Sequence, residues 1–296
     1  MRSQIKRSES PGQALQRVCR HHLVKASACI GRSGHPNAVH EVRKELKKLR
    51  AIFRLSRGGL RRGEYQKAAE VLRLAAKPLA AWRDARVRRR ALETLAGSRT
   101  RRFPQIRSAL RTACQQAGRQ FKELDYAAVT KLLLEEAGER LDDAKLKRVG
   151  WADVRKCLEK SYAQGRDAYL LAMRLPAPDH LHGWRKRVKD LWYQLDFLCP
   201  TWPDRTKAML ESLKKLGNEL GDDHDLVLLQ NFAREQRASG EETQALDRLI
   251  EARRQVYDTN ARQLGSQLYH QMPESVCAQV EQDWKAWCSA ATVAVG

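Results

Sequence analysis

The sequence predicts an all-α protein built from helical bundles, and three observations carry that prediction. Ala, Leu, Arg, Lys, Glu and Gln dominate its 296 residues, and no Val/Ile-rich alternating stretch of strand length occurs. Proline acts as punctuation: Pro11, Pro36, Pro104, Pro176, Pro178, Pro200, Pro203 and Pro273 all stand where apolar periodicity stops. The connections between periodic segments are short, which favours antiparallel neighbours.

Taken in order, the periodicity predicts helices at about residues 12–31 and 37–57, with loop glycines Gly31 and Gly34 between them. After Gly58 and Gly59, one long helix is expected at about 64–96, kinked at Pro78, the one proline inside a periodic segment. Then come 105–124 and about 127–172, the latter broken near Gly138 to Asp143. The remaining helices are expected at about 180–199, 204–237, 241–271 and 274–290.

Composition removes several classes of function. A 42% hydrophobic content is enough to bury a core and excludes wholesale disorder. No run of 18 apolar residues is present, so no membrane span is expected. The basic start leads into no apolar stretch, which argues against a secretory signal. The seven cysteines are odd in number, scattered and never in a C-x-x-C pair, which fits a reducing cytosol better than a disulfide framework or a zinc module. Phosphate-loop, serine-hydrolase and H-E-x-x-H motifs are all missing.

Charge is more informative. The chain carries 56 Lys plus Arg against 35 Asp plus Glu, a formal +21. Residues 1–150 hold 36 cations and 14 acids, a net +22, whereas residues 151–296 hold 20 and 21, a net −1. A soluble surface needs only mixed charge, so +22 in one half is self-repelling and points to a polyanionic partner.

The sequence also repeats itself. His40, Arg43, Lys44, Lys47 and Leu49 recur as His182, Arg185, Lys186, Lys189 and Leu191 at an offset of 142. Downstream, Leu79, Arg83 and Asp84 match Leu220, His224 and Asp225 at an offset of 141. Two matches in one order suggest a duplicated unit of about four helices: 1–140 as a strongly basic first repeat and 141–296 as a second, with the boundary near Gly138–Asp143.

On a helix, positions 0, 3, 4 and 7 share a face. His40, Arg43, Lys44 and Lys47 therefore form one cationic stripe, continued by Arg54 and Arg57, with Val42, Leu46, Leu49 and Phe53 opposite and Glu41 and Glu45 at the flank. His182, Arg185, Lys186 and Lys189 repeat it, backed by Trp184, Val188, Leu191 and Leu195. Like charges at i, i+4 oppose a helix by about 0.2–0.5 kcal/mol each unless an anion sits among them. No aromatic side chain interleaves the first stripe, and six of seven Trp lie in 151–296, so phosphates without bases suit this surface better than a single nucleic-acid strand.

These paired His-x-x-Arg helices, the later Arg83-Asp84 and His224-Asp225, and the all-helical duplication resemble the CHAD family (conserved histidine α-helical domain) over about residues 12–290. The resemblance implies two pseudo-symmetric four-helix bundles around a basic central groove or pore, together one domain. It also implies binding of inorganic polyphosphate, with polyphosphate granules or polyphosphate-metabolising enzymes as associates. By position, the binding residues would be His40, Arg43, Lys44, Lys47, Arg50, Arg83, His182, Arg185, Lys186, Lys189 and His224; Arg54 joins them from the stripe. Two departures set the halves apart: Trp192 stands where the first copy has Arg50, and the second half is nearly neutral.

The leading expectation is thus a non-enzymatic, cytoplasmic polyphosphate binder that needs no cofactor or metal. If its histidines titrate, binding should tighten below about pH 6.5, the ordinary value of the side chain. Two alternatives stand beside it. One is sequence-nonspecific nucleic-acid binding by the basic half. The other is a Mg-dependent enzyme on phosphate polymers, with Asp222, Asp223 and Asp225 holding the metal. The run Arg86, Arg88, Arg89 and Arg90 is either solvated or an annex of the groove.

Overall fold

A computed structural model describes residues 3–32, 37–201, 204–236 and 240–289. Helix α1 (Pro11–Ile30) starts on a reciprocal cap. The Gln13 amide donates to Ser10 Oγ at 3.2 Å and the Ser10 amide to Gln13 Oε1 at 2.9 Å, with Pro11 in the first turn. α2 (Ala38–Phe53) follows, tightening into a 3-10 turn over Arg54–Ser56. Next come α3 (Arg62–Leu74), α4 (Ala80–Ala96), α5 (Pro104–Glu123), α6 (Tyr126–Asp143), α7 (Trp151–Arg174) and α8 (Pro178–Leu198). The chain closes with α9 (Asp204–Glu235), α10 (Gly240–Leu268) and α11 (Pro273–Ser289). Pro104, Pro178 and Pro273 each open a helix, where the missing N–H has no partner to lose. Gly34, Pro36 and Pro203 lie outside the described residues. The described residues hold no strand, and the protein is all-α.

Two helices end where the periodicity runs on. Pro78 does not kink a single long helix; it sits in a turn that separates α3 from α4, because its ring disfavours helical geometry at Lys77 and removes a donor. The break expected near Gly138 to Asp143 begins at the end of that range and runs over 144–150. There Lys145 takes a left-handed φ of 45°, while Gly138 stays helical with Leu23 of α1 packed against it.

The apolar residues form two cores. The larger joins α1, α2, α3, α6, α7, α8 and α11 to the start of α9 and the end of α10. The smaller takes Leu92 and Ala96 of α4, Ile106 and Leu110 of α5, Leu226–Ala233 of α9 and Leu246 and Ile250 of α10. Both cores draw on residues from either side of residue 140. The 32-residue α9 runs through both and so fixes α4 relative to α8. α2 packs directly on α8 and also touches α4; the Gln194 amide donates to the Ala51 carbonyl across the α2–α8 contact at 3.1 Å. This arrangement carries the two stripes to one place. No helix among the described residues is long and apolar enough to cross a membrane.

Candidate functional site

Burial of the apolar faces turns the stripes outward. Val42, Leu46 and Leu49 of α2 and Trp184, Val188 and Leu191 of α8 are all sealed in the larger core. Burying such side chains contributes about 1.5–3 kcal/mol each, which outweighs the repulsion within a stripe. Glu45 does not flank the stripe as expected. It is buried, 2.5 Å from Nδ1 of the equally buried His22 on α1, because a carboxylate under an apolar face needs a partner. Glu41 remains outside and pairs with Lys44 at 3.3 Å.

Four helices meet around Lys47. Lys47 is exposed as a residue, yet enough protein surrounds its ammonium to disfavour the charge. Burial, then the charges of Arg185 on α8, Arg83 on α4 and Arg43 on α2, push its pKa down to about 7; Asp225 on α9 opposes them. Arg83 is nearly covered, held between Asp84 (Nη1 to Oδ1, 2.8 Å) and Asp225 (Nη2 to Oδ1, 3.4 Å). Arg43 anchors one nitrogen on the Ala76 carbonyl at 3.0 Å. The buried Nε of Arg43, the Nε of Arg185 and Nδ1 of His182 have no protein partner.

The histidines line the same basin. His182 and His224 stack with ring centroids 3.9 Å apart. Burial, then Lys186 and Arg185, lower His182 to about 4; burial, then His182 and Arg185, lower His224 to about 3. His40 is lowered too, by burial and by Lys44, Lys47 and Arg83, against Glu41. Arg83 acts on both His40 and His182, so it stands between the two copies of the motif. His182 and His224 are therefore neutral near pH 7, and a change of binding near pH 6.5 does not come from them. Lys47 at about 7 and Lys189 at about 8 titrate nearer that region, and His40 is held below its ordinary value.

The basin gathers His40, Arg43, Lys47, Arg83, Arg185, His182 and His224, with Lys186 at the rim beside the histidines. Lys189 closes one side. It donates to Asn218 Oδ1 at 3.0 Å, and its ammonium lies 4.7 Å from the centre of the Trp192 ring. Arg54 is placed differently. It is ion-paired with Asp190 of α8 and faces Tyr65, and with Arg50 it lines a cleft of about 400 Å³ against α3. The acids of α9 diverge: Asp223 binds Arg254 at 2.7 Å and Asp225 binds Arg83. Among the described residues, no three His, Cys, Asp or Glu side chains gather as a metal site would need.

Gly217 and Gly221 escaped the sequence reading. A Cβ at Gly217 would lie 2.8 Å from Lys189 Cε, and one at Gly221 would lie 3.2 Å from Arg185 Nε. Both cations lie across α9 in the space these glycines leave. A signal existed, since two glycines four apart inside a helix cost it about 1 kcal/mol each and so mark a close approach.

Fold and site together define a class: an all-helical protein that crosses two related cationic helices over one basin. A family model described as CHAD domain matches residues 14–234, and the chain belongs to the CHAD family. The crystal structure of the CHAD domain from the plant Ricinus communis shares the fold at 18% sequence identity and a TM-score of 0.66, covering 90% of this chain and 94% of that one. No curated protein matches the sequence.

Proposed function

We propose that the chain binds inorganic polyphosphate in the basin and performs no chemistry on it. The observation that carries this reading is the crowding at Lys47, where Arg43, Arg83 and Arg185 converge from three helices and Asp225 opposes them. Such a site raises its own free energy until an anion enters. The buried Nε atoms of Arg43 and Arg185 have no protein partner, so the protein does not saturate either guanidinium, and arginine can grip phosphate oxygens bidentately. His40, His182 and His224 donate hydrogen bonds as neutral rings, while Lys44 and Lys186 add charge at the rim. Arg50 continues the stripe toward the α3 cleft; Arg54, tied to Asp190, acts mainly by fixing α2 on α8. Family membership supports polyphosphate over nucleic acid; the ring beside the stripe, Tyr65, lies at its far end with Arg54 and Arg57 rather than at Lys47. On this reading the protein works in the cytoplasm, on free polyphosphate or at polyphosphate granules, and nucleic acid is a weak, nonspecific competitor.

The test is a titration against polyphosphate, DNA and RNA side by side at several salt concentrations. Polyphosphate should bind tightest per charge, with affinity falling steeply in salt as counterion release requires. Arg43→Ala/Lys44→Ala/Lys47→Ala should abolish polyphosphate retention with the helical circular dichroism unchanged. Equal affinity for all three polymers would replace this reading with nonspecific nucleic-acid binding. Metal-dependent release of orthophosphate would replace it with catalysis.

A further inference from the structure

Outside the basin, one surface holds more uncompensated charge than the fold explains. Residues 86–122, the outer part of α4, the turn over Gly97–Arg102 and most of α5, contain 11 Lys or Arg and a single acid, Glu93. The segment that packs against it through the smaller core, residues 226–257, holds five cations and five acids. This lobe is therefore charged on one side.

The structure sorts the arginine run of α4 by direction. Arg88 turns inward over the Phe232 ring at 5.1 Å, and Arg89 pairs with Glu93 at 3.4 Å. Arg86 and Arg90 follow Arg83 at i+3 and i+7 and share its face of the helix. Arg83 is already in the basin, and Arg86 Nη2 lies 3.4 Å from Asn37 Oδ1, at the start of α2 and beside the His40 end of the site. Arg90 stands about 10 Å further along α4 than Arg83. Beyond it, Arg99, Arg101 and Arg102 are exposed on the turn into α5. Glu242 of α10, which packs at that point, is bound to the amides of Gln105 and Ile106.

We propose that this face of α4 and the turn after it form an outer track for a phosphate chain too long for the basin. The chain leaves the basin at Arg83 and passes over Arg86 and Arg90 to Arg99, Arg101 and Arg102. The inference rests on the polyphosphate reading of the basin and extends it, because it gives the protein a preference for long chains. The half-buried Arg86, the exposed Arg90 and the exposed arginines of the turn are suited to this, since each adds a modest, salt-sensitive contact and their sum grows with the length of anion that reaches them.

The experiment compares tripolyphosphate with long-chain polyphosphate on the full chain. It uses a track variant (Arg86→Gln, Arg90→Gln, Arg99→Gln, Arg101→Gln, Arg102→Gln), a smaller variant of the three turn arginines alone, and Lys47→Ala in the basin. The track variant should bind tripolyphosphate as the wild type does. It should lose about tenfold or more on long chains, with a salt slope shallower by roughly three to four if each cation neutralises one phosphate. The turn variant should lose part of that gain, and Arg→Lys at the same five positions should restore most of it. Lys47→Ala should weaken both ligands. Long-chain affinity unchanged in the track variant overturns the proposal. So does loss of duplex DNA binding with long-chain polyphosphate unaffected, which would assign the face to nucleic acid. Failure of the basin reading looks different: tripolyphosphate and long chains would then both be indifferent to Lys47→Ala.

Discussion

On α2 the cations Arg43 and Lys47 face other cations from α4 and α8, with Asp84 set against Arg43 and Asp225 against Lys47. On α8 the matching Arg185 and Lys189 lie along α9, over Gly221 and Gly217, where Asp222 and Asp225 offset part of their charge and Asn218 holds the Lys189 ammonium. The same motif thus serves two ends. The first copy sets Lys47 among three arginines with one acid against it, and the second supplies cations whose positions are set by the helix beneath them. The near-neutrality of the second half reflects this tethering, since acids of α9 stand against the arginines of α4 and α8.

The largest test of that difference removes two cations from each copy. Arg43→Ala/Lys47→Ala deletes two charge-assisted contacts of about 1.5–3 kcal/mol each and should weaken polyphosphate binding by at least about 100-fold. Arg185→Ala/Lys189→Ala should cost less, because two acids, Asp222 and Asp225, stand against Arg185 where one, Asp84, stands against Arg43, and Asn218 already occupies the Lys189 ammonium. Direct titration at fixed salt measures both, and equal losses would erase the distinction between the copies.

A smaller effect is expected from the glycines. Gly217→Ala and Gly221→Ala each raise helix propensity by about 1 kcal/mol, and the atoms a new Cβ meets belong to long, adaptable side chains. Thermal stability should therefore hold or rise while affinity falls by roughly tenfold through displaced Lys189 and Arg185. Loss of both stability and binding would mean that these glycines serve packing alone.

How far the sequence revealed all this follows from what a single helix determines. The stripes and their apolar backs were legible because one period sets both faces of α2, as buried Val42, Leu46 and Leu49 bear out. The mutual approach of α2 and α8 could not be read from either helix alone, since it depends on packing between segments about 140 residues apart; only the family resemblance implied a shared groove. Arg54 looked like a free stripe cation until Asp190 of α8 came beside it. Glu45 looked exposed until His22 of α1 gave it a partner. Pro78 marked a disturbance correctly, but whether a proline kinks or ends a helix depends on what lies beyond it.

Acidity should separate the copies by a few-fold to about tenfold. Lys47, faced by Arg43, Arg83, Arg185 and Asp225, sits near 7, and a bound polyanion raises its pKa. Affinity should be full below about 7 and fall as pH climbs from there through the higher pKa of the complex; each unit of difference is worth up to tenfold per lysine. Lys189, near 8, repeats the effect at higher pH. Folding responds with the opposite sign. The unfolded chain holds the Lys47 proton up to its ordinary 10.5 and the folded chain releases it near 7, so the unfolded state binds more protons in between and stability without ligand rises with pH across that window. Lys47→Met should flatten both curves relative to the wild type, in titrations and thermal melts run in parallel.

The smallest effect belongs to the paired rings. His182 and His224, pushed to about 4 and about 3 by burial and by the cations around them, meet an anion as neutral donors rather than as charges. Each neutral imidazole can offer one N–H, a contact of about 0.5–1.5 kcal/mol that no proton uptake strengthens above pH 5.5. His182→Gln keeps a donor and should change affinity by no more than about threefold, whereas His182→Ala should cost somewhat more. Neither should alter the shape of the pH profile between 5.5 and 8.5, because the His182 ring, at about 4, is already neutral there. A profile that loses its acid-side rise in His182→Ala while Lys47→Met retains it would move the titrating group from the first copy of the motif to the second.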